Sequence, residues 1–305
     1  MRILVTGGAG FIGSTVVDAY LAAGHEVAVV DSLWHHGGGK GANVPSTVRH
    51  YELDITDPAL AQVFAEVQPQ VVSHHAAQHS VKLSTDDPAL DARVNVLGLL
   101  NVLENSRRHA VRKVIYASSA AIYGAPATQP INEATPQQPT SPYGITKMVG
   151  EHYLRYYRAA FGLEYTALRY ANVYGPRQNP GGEAGVIAIF IHNLLTGQPI
   201  TIHGDGEQAR DYIFVADVAD ANVRALTAGD GASFCLGTGT RTSVNELYAL
   251  LRRITGRDGQ VSHAPTRAGD VPLAYFDNRH AKEALAWAPT VTLEEGLRRT
   301  VAAQS

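Results

Sequence analysis

The sequence predicts a doubly wound α/β fold with a smaller α/β lobe toward the C-terminus, and three observations predict it. Short β-branched runs alternate with helix-length amphipathic stretches through the first half, a glycine-rich turn follows the first run, and turn signals crowd the chain after Tyr174.

In order, Ile3-Leu4-Val5 reads as the first strand, 11–23 as a helix and Val27-Ala28-Val29-Val30 as a second strand ending at Asp31. Helices follow over roughly 57–67, 90–109 and 143–161, separated by the strands Gln70-Val71-Val72 and Val114-Ile115-Tyr116, with another strand over 165–170. The strands are continuously apolar rather than alternating, the pattern of a parallel sheet covered on both faces. Beyond Tyr174 the turns Tyr174-Gly175-Pro176, Asn179-Pro180-Gly181-Gly182 and Gly204-Asp205-Gly206 separate shorter elements. The expected division is 1–172 for the sheet domain and 173–305 for the lobe, with some later segments returning to the sheet.

Composition narrows the partners. With 305 residues, 45% of them hydrophobic and 17% charged, the chain can bury a sizeable core. A formal net charge of −3 supplies no basic field for nucleic acid or an anionic membrane, so the expected ligand is small and held by a few placed groups. The single cysteine, Cys235, rules out an intramolecular disulfide and a multi-cysteine metal site, and in Ser233-Phe234-Cys235-Leu236 it reads as a buried thiol. No resident metal is expected. The N-terminus lacks the apolar segment of a signal peptide and no apolar run approaches the ~20 residues of a membrane span, so a cytoplasmic protein is expected.

Thr6-Gly7-Gly8-Ala9-Gly10-Phe11-Ile12-Gly13 follows the first strand and opens a helix, the context that a dinucleotide fingerprint requires. Gly7 makes the turn, Gly10 lets backbone approach a pyrophosphate, and Gly13 allows close helix-to-strand packing. Asp31, 18 residues beyond Gly13, can accept hydrogen bonds from ribose hydroxyls and would repel a 2′-phosphate, which favours NAD on a Rossmann-type sheet. Asp54-Ile55, after the next strand, either flanks the adenine or places Asp54 as a cap for the helix from Pro58. Gly37-Gly38-Gly39-Lys40-Gly41 is not a phosphate loop, because Trp34 and Gly41 occupy positions where that motif needs glycine and a hydroxyl.

Tyr143-Gly144-Ile145-Thr146-Lys147 puts a phenol and an ammonium four residues apart, on one helix face. A phenol of ordinary acidity is a poor base at neutral pH, whereas a neighbouring ammonium and a positive nicotinamide favour its phenolate. Ser118-Ser119 ends a strand at the carboxyl edge of the sheet, where a hydroxyl can bond a substrate oxygen and orient its proton.

Together with His74-His75-Ala76-Ala77-Gln78, Tyr116-Ala117-Ser118-Ser119-Ala120-Ala121-Ile122-Tyr123-Gly124, Arg169-Tyr170-Ala171-Asn172-Val173-Tyr174-Gly175-Pro176-Arg177, the run Gly204 to Tyr212, and Arg267-Ala268-Gly269-Asp270, these motifs resemble the extended short-chain dehydrogenase/reductase family. Within it they are similar to the UDP-glucose 4-epimerases of the NAD-dependent epimerase/dehydratase group. The resemblance implies catalysis by Ser119, Tyr143 and Lys147. It implies NAD bound by Gly7, Gly10, Phe11, Ile12, Gly13, Asp31, Asp54, Ile55, Ala76, Tyr143, Lys147 and Tyr170. It implies a UDP-sugar held by Ser119, Tyr143, Asn172, Arg210, Arg267 and Asp270, the arginines as phosphate forks and the carboxylate as a ribose acceptor. The C-terminal lobe then binds substrate, and the chain is expected to form a homodimer.

The resemblance also implies a redox cycle at C4 of the sugar, with a transient 4-keto intermediate. Sugar dehydratases of the same superfamily carry an acid pair after the catalytic hydroxyl residue; Ala120-Ala121 stands there, which disfavours elimination. UDP-glucuronate is the harder alternative to set aside, though 179–187 has no cation for its carboxylate. Ala274, at the position that gates the sugar pocket in the epimerases, leaves room for an N-acetyl group. A non-catalytic NAD-binding regulator is the remaining alternative, disfavoured because Ser119, Tyr143 and Lys147 are all present. Among the histidines, His74 and His75 are expected in the core or cleft and His79 near the sugar, while Asn95 is expected as a buried anchor.

Overall fold

The computed structural model describes residues 1–34, 37–181, 185–266 and 271–304. Strands β1 (Arg2–Thr6), β2 (Glu26–Asp31), β3 (Arg49–Glu52), β4 (Val71–His74), β5 (Lys113–Ser119) and β6 (Glu164–Tyr170) lie in the spatial order β3-β2-β1-β4-β5-β6, all parallel. The chain winds outward from β1 to β3, then crosses back to β4 and winds the other way. That reversal opens a crevice at the carboxyl ends of β1 and β4, where open α/β sheets bind ligands. A seventh parallel strand, Ala232–Leu236, arrives from much later in the chain and pairs with β6.

Both faces of the sheet are buried, which explains the continuously apolar strands. In β1, Ile3 and Val5 enter one core and Leu4 the other. The Leu4 side is covered by α2 (Leu60–Val67), α5 (Leu99–Arg108) and α6 (Pro142–Phe161), and the Ile3 side by α1 (Phe11–Ala22). Each such fully buried aliphatic side chain contributes about 1.5–3 kcal/mol. Helix α6 has well-defined ends: the Ser141 hydroxyl accepts from the Gly144 N–H at 3.1 Å, Pro142 opens the first turn, and Gly162 closes the helix at φ 71°.

The single helix expected over 90–109 is broken. After α3 (Val81–Asp86) and α4 (Pro88–Ala92), a π-helical turn spans Arg93–Gly98 before α5 begins. The widened turn accompanies inward placement of Asn95, whose amide donates to the Gln78 carbonyl and whose oxygen receives the Gln78 N–H, at 2.9 and 2.8 Å. The helix expected from 57 starts at Leu60, because Asp57 spends its carboxylate on a tight turn to the Ala59 N–H at 2.8 Å.

The C-terminal part has its own core of Ile187, Phe190, Leu194, Ile200, Leu247, Leu251 and Leu297. It is built from β7 (Asn172–Tyr174), α7 (Val186–Thr196), β8 (Ile200–His203), β9 (Ala209–Arg210), β10 (Tyr212–Phe214), α8 (Val215–Ala225), β11 (the seventh sheet strand), β12 (Thr242–Ser243), α9 (Val244–Thr255), β13 (Val261–Ala264), β14 (Leu273–Ala274), α10 (Arg279–Leu285) and α11 (Leu293–Ala302). Among these, α8, β11 and α10 belong to the large sheet: α8 packs on α1, and α10 packs on β11 and α8. Trp287 seals that return, wholly buried, with its indole N–H donating to the Asp217 carbonyl at 2.8 Å. Among the described residues no helix is long and apolar enough to cross a membrane.

Candidate active site

The turn after β1 is shaped by the absence of side chains. Gly7 sits at φ +72°, and a Cβ there would lie 2.5 Å from the Ala76 nitrogen; one on Gly13 would lie 2.1 Å from the Gly7 carbonyl oxygen. Only hydrogen lets α1 approach β1 this closely. At Gly10 the nearest atom to an added Cβ is the Gly7 oxygen at 3.3 Å, and no side chain caps α1. The helix therefore presents uncapped backbone amides at its positive end, a cradle that suits a pyrophosphate.

Asp31 closes the side of this cradle. One carboxylate oxygen receives the Ala9 N–H and the other the Leu33 N–H, both at 2.9 Å, leaving further lone pairs for ribose hydroxyls. A cleft of about 640 Å³ opens here. Its first wall is Gly7, Gly10, Phe11, Ile12, Gly13 and Asp31; Asp54, Ile55 and Ala76 form a second, and Tyr143, Lys147 and Tyr170 the far end. These are the twelve residues expected at the cofactor, gathered from five strand ends and two helices. Asp54 does not cap a helix: its Oδ1 accepts from the Thr56 N–H and hydroxyl, both at 2.8 Å, while α2 starts at Leu60. Apolar Leu53, Leu83, Leu90 and Val94 also line the cleft.

At the far end α6 supplies Tyr143 and, one turn on, buried Lys147. The Lys147 Nζ donates to the Ala117 carbonyl at 2.8 Å and lies 5.0 Å from the centre of the Tyr116 ring and 5.9 Å from that of Tyr143. Burial pushes the ammonium down to about 8, opposed by the charge of Asp91. Burial pushes the Tyr143 phenol up to about 12, with the Ser119 hydroxyl acting to lower it. The protein's own groups thus hold a neutral phenol, and the shift toward phenolate has to come from positive charge brought into the cleft.

The two serines at the end of β5 are not equivalent. Ser118 donates to the Glu151 carboxylate at 2.6 Å, and that carboxylate is gripped by Arg169 through two contacts of 2.9 and 2.6 Å. Arg169 also donates to the Tyr123 hydroxyl at 2.7 Å, and Ser233 to Glu151 at 3.2 Å. Burial works to raise Glu151, yet the Arg169 hydrogen bonds and charge, with both serines, hold its carboxyl below the ordinary range. Ser119 is free of that network: its hydroxyl accepts the Ala121 N–H at 3.1 Å and stands beside Tyr143.

The expected substrate residues are more scattered. Asn172 is exposed on β7, where its N–H donates to the Asp211 carbonyl at 3.0 Å, and half-buried Arg210 on β9 donates to the Ala209 carbonyl at 3.0 Å. Neither they nor Ser119 line the cleft. Register places Ala274 beside Arg210. Arg267 and Asp270 lie outside the described residues. His74 is a core residue, bonded to the Thr6 hydroxyl at 2.7 Å and stacked on Tyr116. His75 and His79 line the cleft; burial pushes His75 down to about 3, so it is neutral.

Sequence reasoning missed Glu151, Arg169, Asp91, Gln78 and Thr146. One signal was available: Glu151 follows Lys147 by four residues and Tyr143 by eight, which puts it on the same inward face of α6.

The chain matches the NAD dependent epimerase/dehydratase family over residues 3–237. It is 46% identical to the UDP-glucose 4-epimerase of Mycolicibacterium smegmatis over 308 positions, covering 99% of this chain and 97% of the relative. Its fold superposes on the Thermotoga maritima UDP-glucose 4-epimerase with UDP-glucose at a TM-score of 0.97 and 47% identity, covering 100% of this chain and 98% of that one. The NAD complex of the Thermus thermophilus UDP-glucose 4-epimerase gives 0.94 and 43%, over 99% and 98% of the two chains.

Proposed function

The chain belongs to the NAD-dependent epimerase/dehydratase family, and from that premise we propose that it is an NAD-dependent nucleotide-sugar 4-epimerase interconverting UDP-glucose and UDP-galactose. The observation that carries the reading is that Tyr143 and Lys147 stand in the same cleft as the glycine turn, at the carboxyl edge of the sheet. The residues fit NAD: the uncapped start of α1 receives the pyrophosphate, Asp31 the adenosine ribose, and Ile55 with Asp54 the adenine side. Bound there, NAD would supply reversible hydride chemistry at C4 of the sugar, the redox cycle through a 4-keto sugar that epimerisation requires.

The chain's own groups manage the proton. Tyr143 takes the C4 hydroxyl proton and later gives it back; Ser119 bonds the same oxygen and orients it; the Lys147 ammonium, fixed by the Ala117 carbonyl, favours the phenolate. Arg210, Arg267, Asp270 and Asn172 hold the nucleotide so that the sugar can turn over without leaving. In this division of labour 1–172, with its returning segments, carries the cofactor and 173–305 mainly carries the nucleotide-sugar.

UDP-N-acetylhexosamine is a second candidate substrate, favoured by the small side chain of Ala274 beside Arg210. The enzyme is further proposed to be a cytoplasmic homodimer of galactose metabolism. Its one buried cysteine suits a reducing compartment, and exposed Leu97, Tyr156 and Phe161 on or next to α5 and α6 suit a helix-to-helix contact. Purified protein with NAD is offered UDP-glucose, UDP-galactose, their N-acetylamino counterparts and UDP-glucuronate separately, with products identified by proton NMR. Interconversion of the first two is expected; turnover of UDP-glucuronate alone, or of none, overturns the reading.

A further inference from the structure

Beneath the catalytic helix lies a carboxylate that the mechanism above does not use. Asp91 is fully buried, in the first turn of α4. Its Oδ1 receives N–H bonds from the Gln78 amide at 2.8 Å and the Asn95 amide at 3.0 Å, and its Oδ2 the Thr146 hydroxyl at 2.8 Å. The two amides are saturated: Gln78 also donates to the Ser80 carbonyl, and Asn95 to the Gln78 carbonyl. Side-chain amide N–H groups can only donate, so Oδ1 is held as an acceptor; burial works to raise this carboxyl, and the Thr146 and Gln78 hydrogen bonds together with the Lys147 charge work to keep it ionised. The three partners come from three segments: the loop after β4, the π turn and α6.

A buried charge is costly unless it is compensated. Among the described residues no cation lies within ion-pair distance of Asp91, and the charge it acts on is that of Lys147, the residue next to Thr146. We propose that Asp91 is a positioning residue and the buried counter-charge of this site: through Thr146, Gln78 and Asn95 it locks α6 to the cleft wall, and it serves the Lys147 ammonium across the interior. The inference rests on the epimerase reading for its effect on turnover, but not for its effect on Lys147.

Other ionisable groups face the same space from each packed element. On β4, burial and then the Lys147 charge push His74 well down, and burial pushes His75 to about 3. On β5, burial pushes Tyr116 well up, so it too stays neutral. Glu151, on α6, is committed to Arg169. Lys147, Tyr143 and Asp91 are left to set the pH response. A negative charge at Asp91 raises the proton affinity of both Lys147 and Tyr143, so its removal moves both toward lower pH.

Asp91→Asn removes the charge and keeps the shape, since the Thr146 hydroxyl can donate instead to the Tyr143 carbonyl, 3.0 Å away, and accept from the new amide. In protein labelled with 13Cε-lysine, the Lys147 resonance is assigned by its loss in Lys147→Met and titrated by NMR. Its midpoint is expected to fall by about half a pH unit or more in Asp91→Asn; an unchanged or raised midpoint overturns the proposal. Should that variant not fold, Asp91→Ser, smaller and uncharged, carries the same expectation. In turnover assays run beside the wild type, both limbs of the pH–rate profile are expected to move to lower pH, whereas an equal loss at every pH would assign Asp91 a merely structural part and overturn the counter-charge. A wild type that turns over no nucleotide-sugar defeats the functional reading alone, because the lysine titration still decides this one.

Discussion

The cleft's own groups keep Tyr143 neutral, because burial outweighs the one hydroxyl that favours its ionised form. Replacing it with Phe removes the proton acceptor but little of the cleft wall. Tyr143→Phe is therefore expected to lose turnover by about a hundredfold or more while NAD and nucleotide-sugar still bind, as calorimetry would register; unchanged turnover would dismiss the phenol as the base. The adjacent serines provide a sharper comparison. Ser119→Ala should slow catalysis with little change in melting temperature. Ser118→Ala should act on stability, costing about 1.5–3 kcal/mol through the lost hydrogen bond to the Glu151 carboxylate, measurable in urea. Neither residue reveals this division in the sequence, where both end one strand. The Tyr-Lys spacing is legible because it is local; the partner of Ser118 is 33 positions away and emerges only with packing.

Helix α6 reads correctly from its period, its cap Ser141 and stop Gly162 fixing the ends that the period leaves open, and the glycine turn reads correctly because steric constraint is written in one residue type. Gly13→Ala would drive a methyl into the Gly7 oxygen; a loss of about 3 kcal/mol is expected, with NAD retention falling in parallel, scored by cofactor carried through purification. What escaped notice was the charge inside the helices. Asp91 and Glu151 look like ordinary surface charges on amphipathic helices, and Arg169 looks like the charged end of strand β6; only tertiary partners bury all three. The π turn was equally hidden, for it depends on Asn95 meeting the backbone at Gln78. For Glu151→Gln the expected loss at neutral pH is about 3–5 kcal/mol, because Arg169 would be left buried without its counter-charge. The sign with pH follows from the lowered carboxyl: its stabilisation is present above the unfolded value, and the gap between wild type and variant should close as pH falls below about 4. Urea melts at several pH values test it, and a gap that widens in acid would contradict the assignment.

Composition and alternation were enough to foresee a two-faced parallel sheet, but not which late segments rejoin it, because a strand such as Ala232–Leu236 carries no mark of its neighbour. That return has a practical outcome: a fragment ending at residue 172 lacks β11, α8 and α10, leaving the edge of β6 and the part of the Ile3 face beyond α1 bare. Such a fragment is expected to aggregate or remain molten, with near-ultraviolet dichroism and gel filtration as the readout; a well-folded monomer would show the sheet to be complete without them. Because the polypeptide leaves the sheet after β6, comes back as α8 and β11, departs again and returns with α10, its two parts are stitched rather than jointed. Rocking one against the other would mean bending every one of those crossings at once. The walls must accordingly stay still, and whatever reorientation the chemistry demands falls to the small molecule swinging on its own tether.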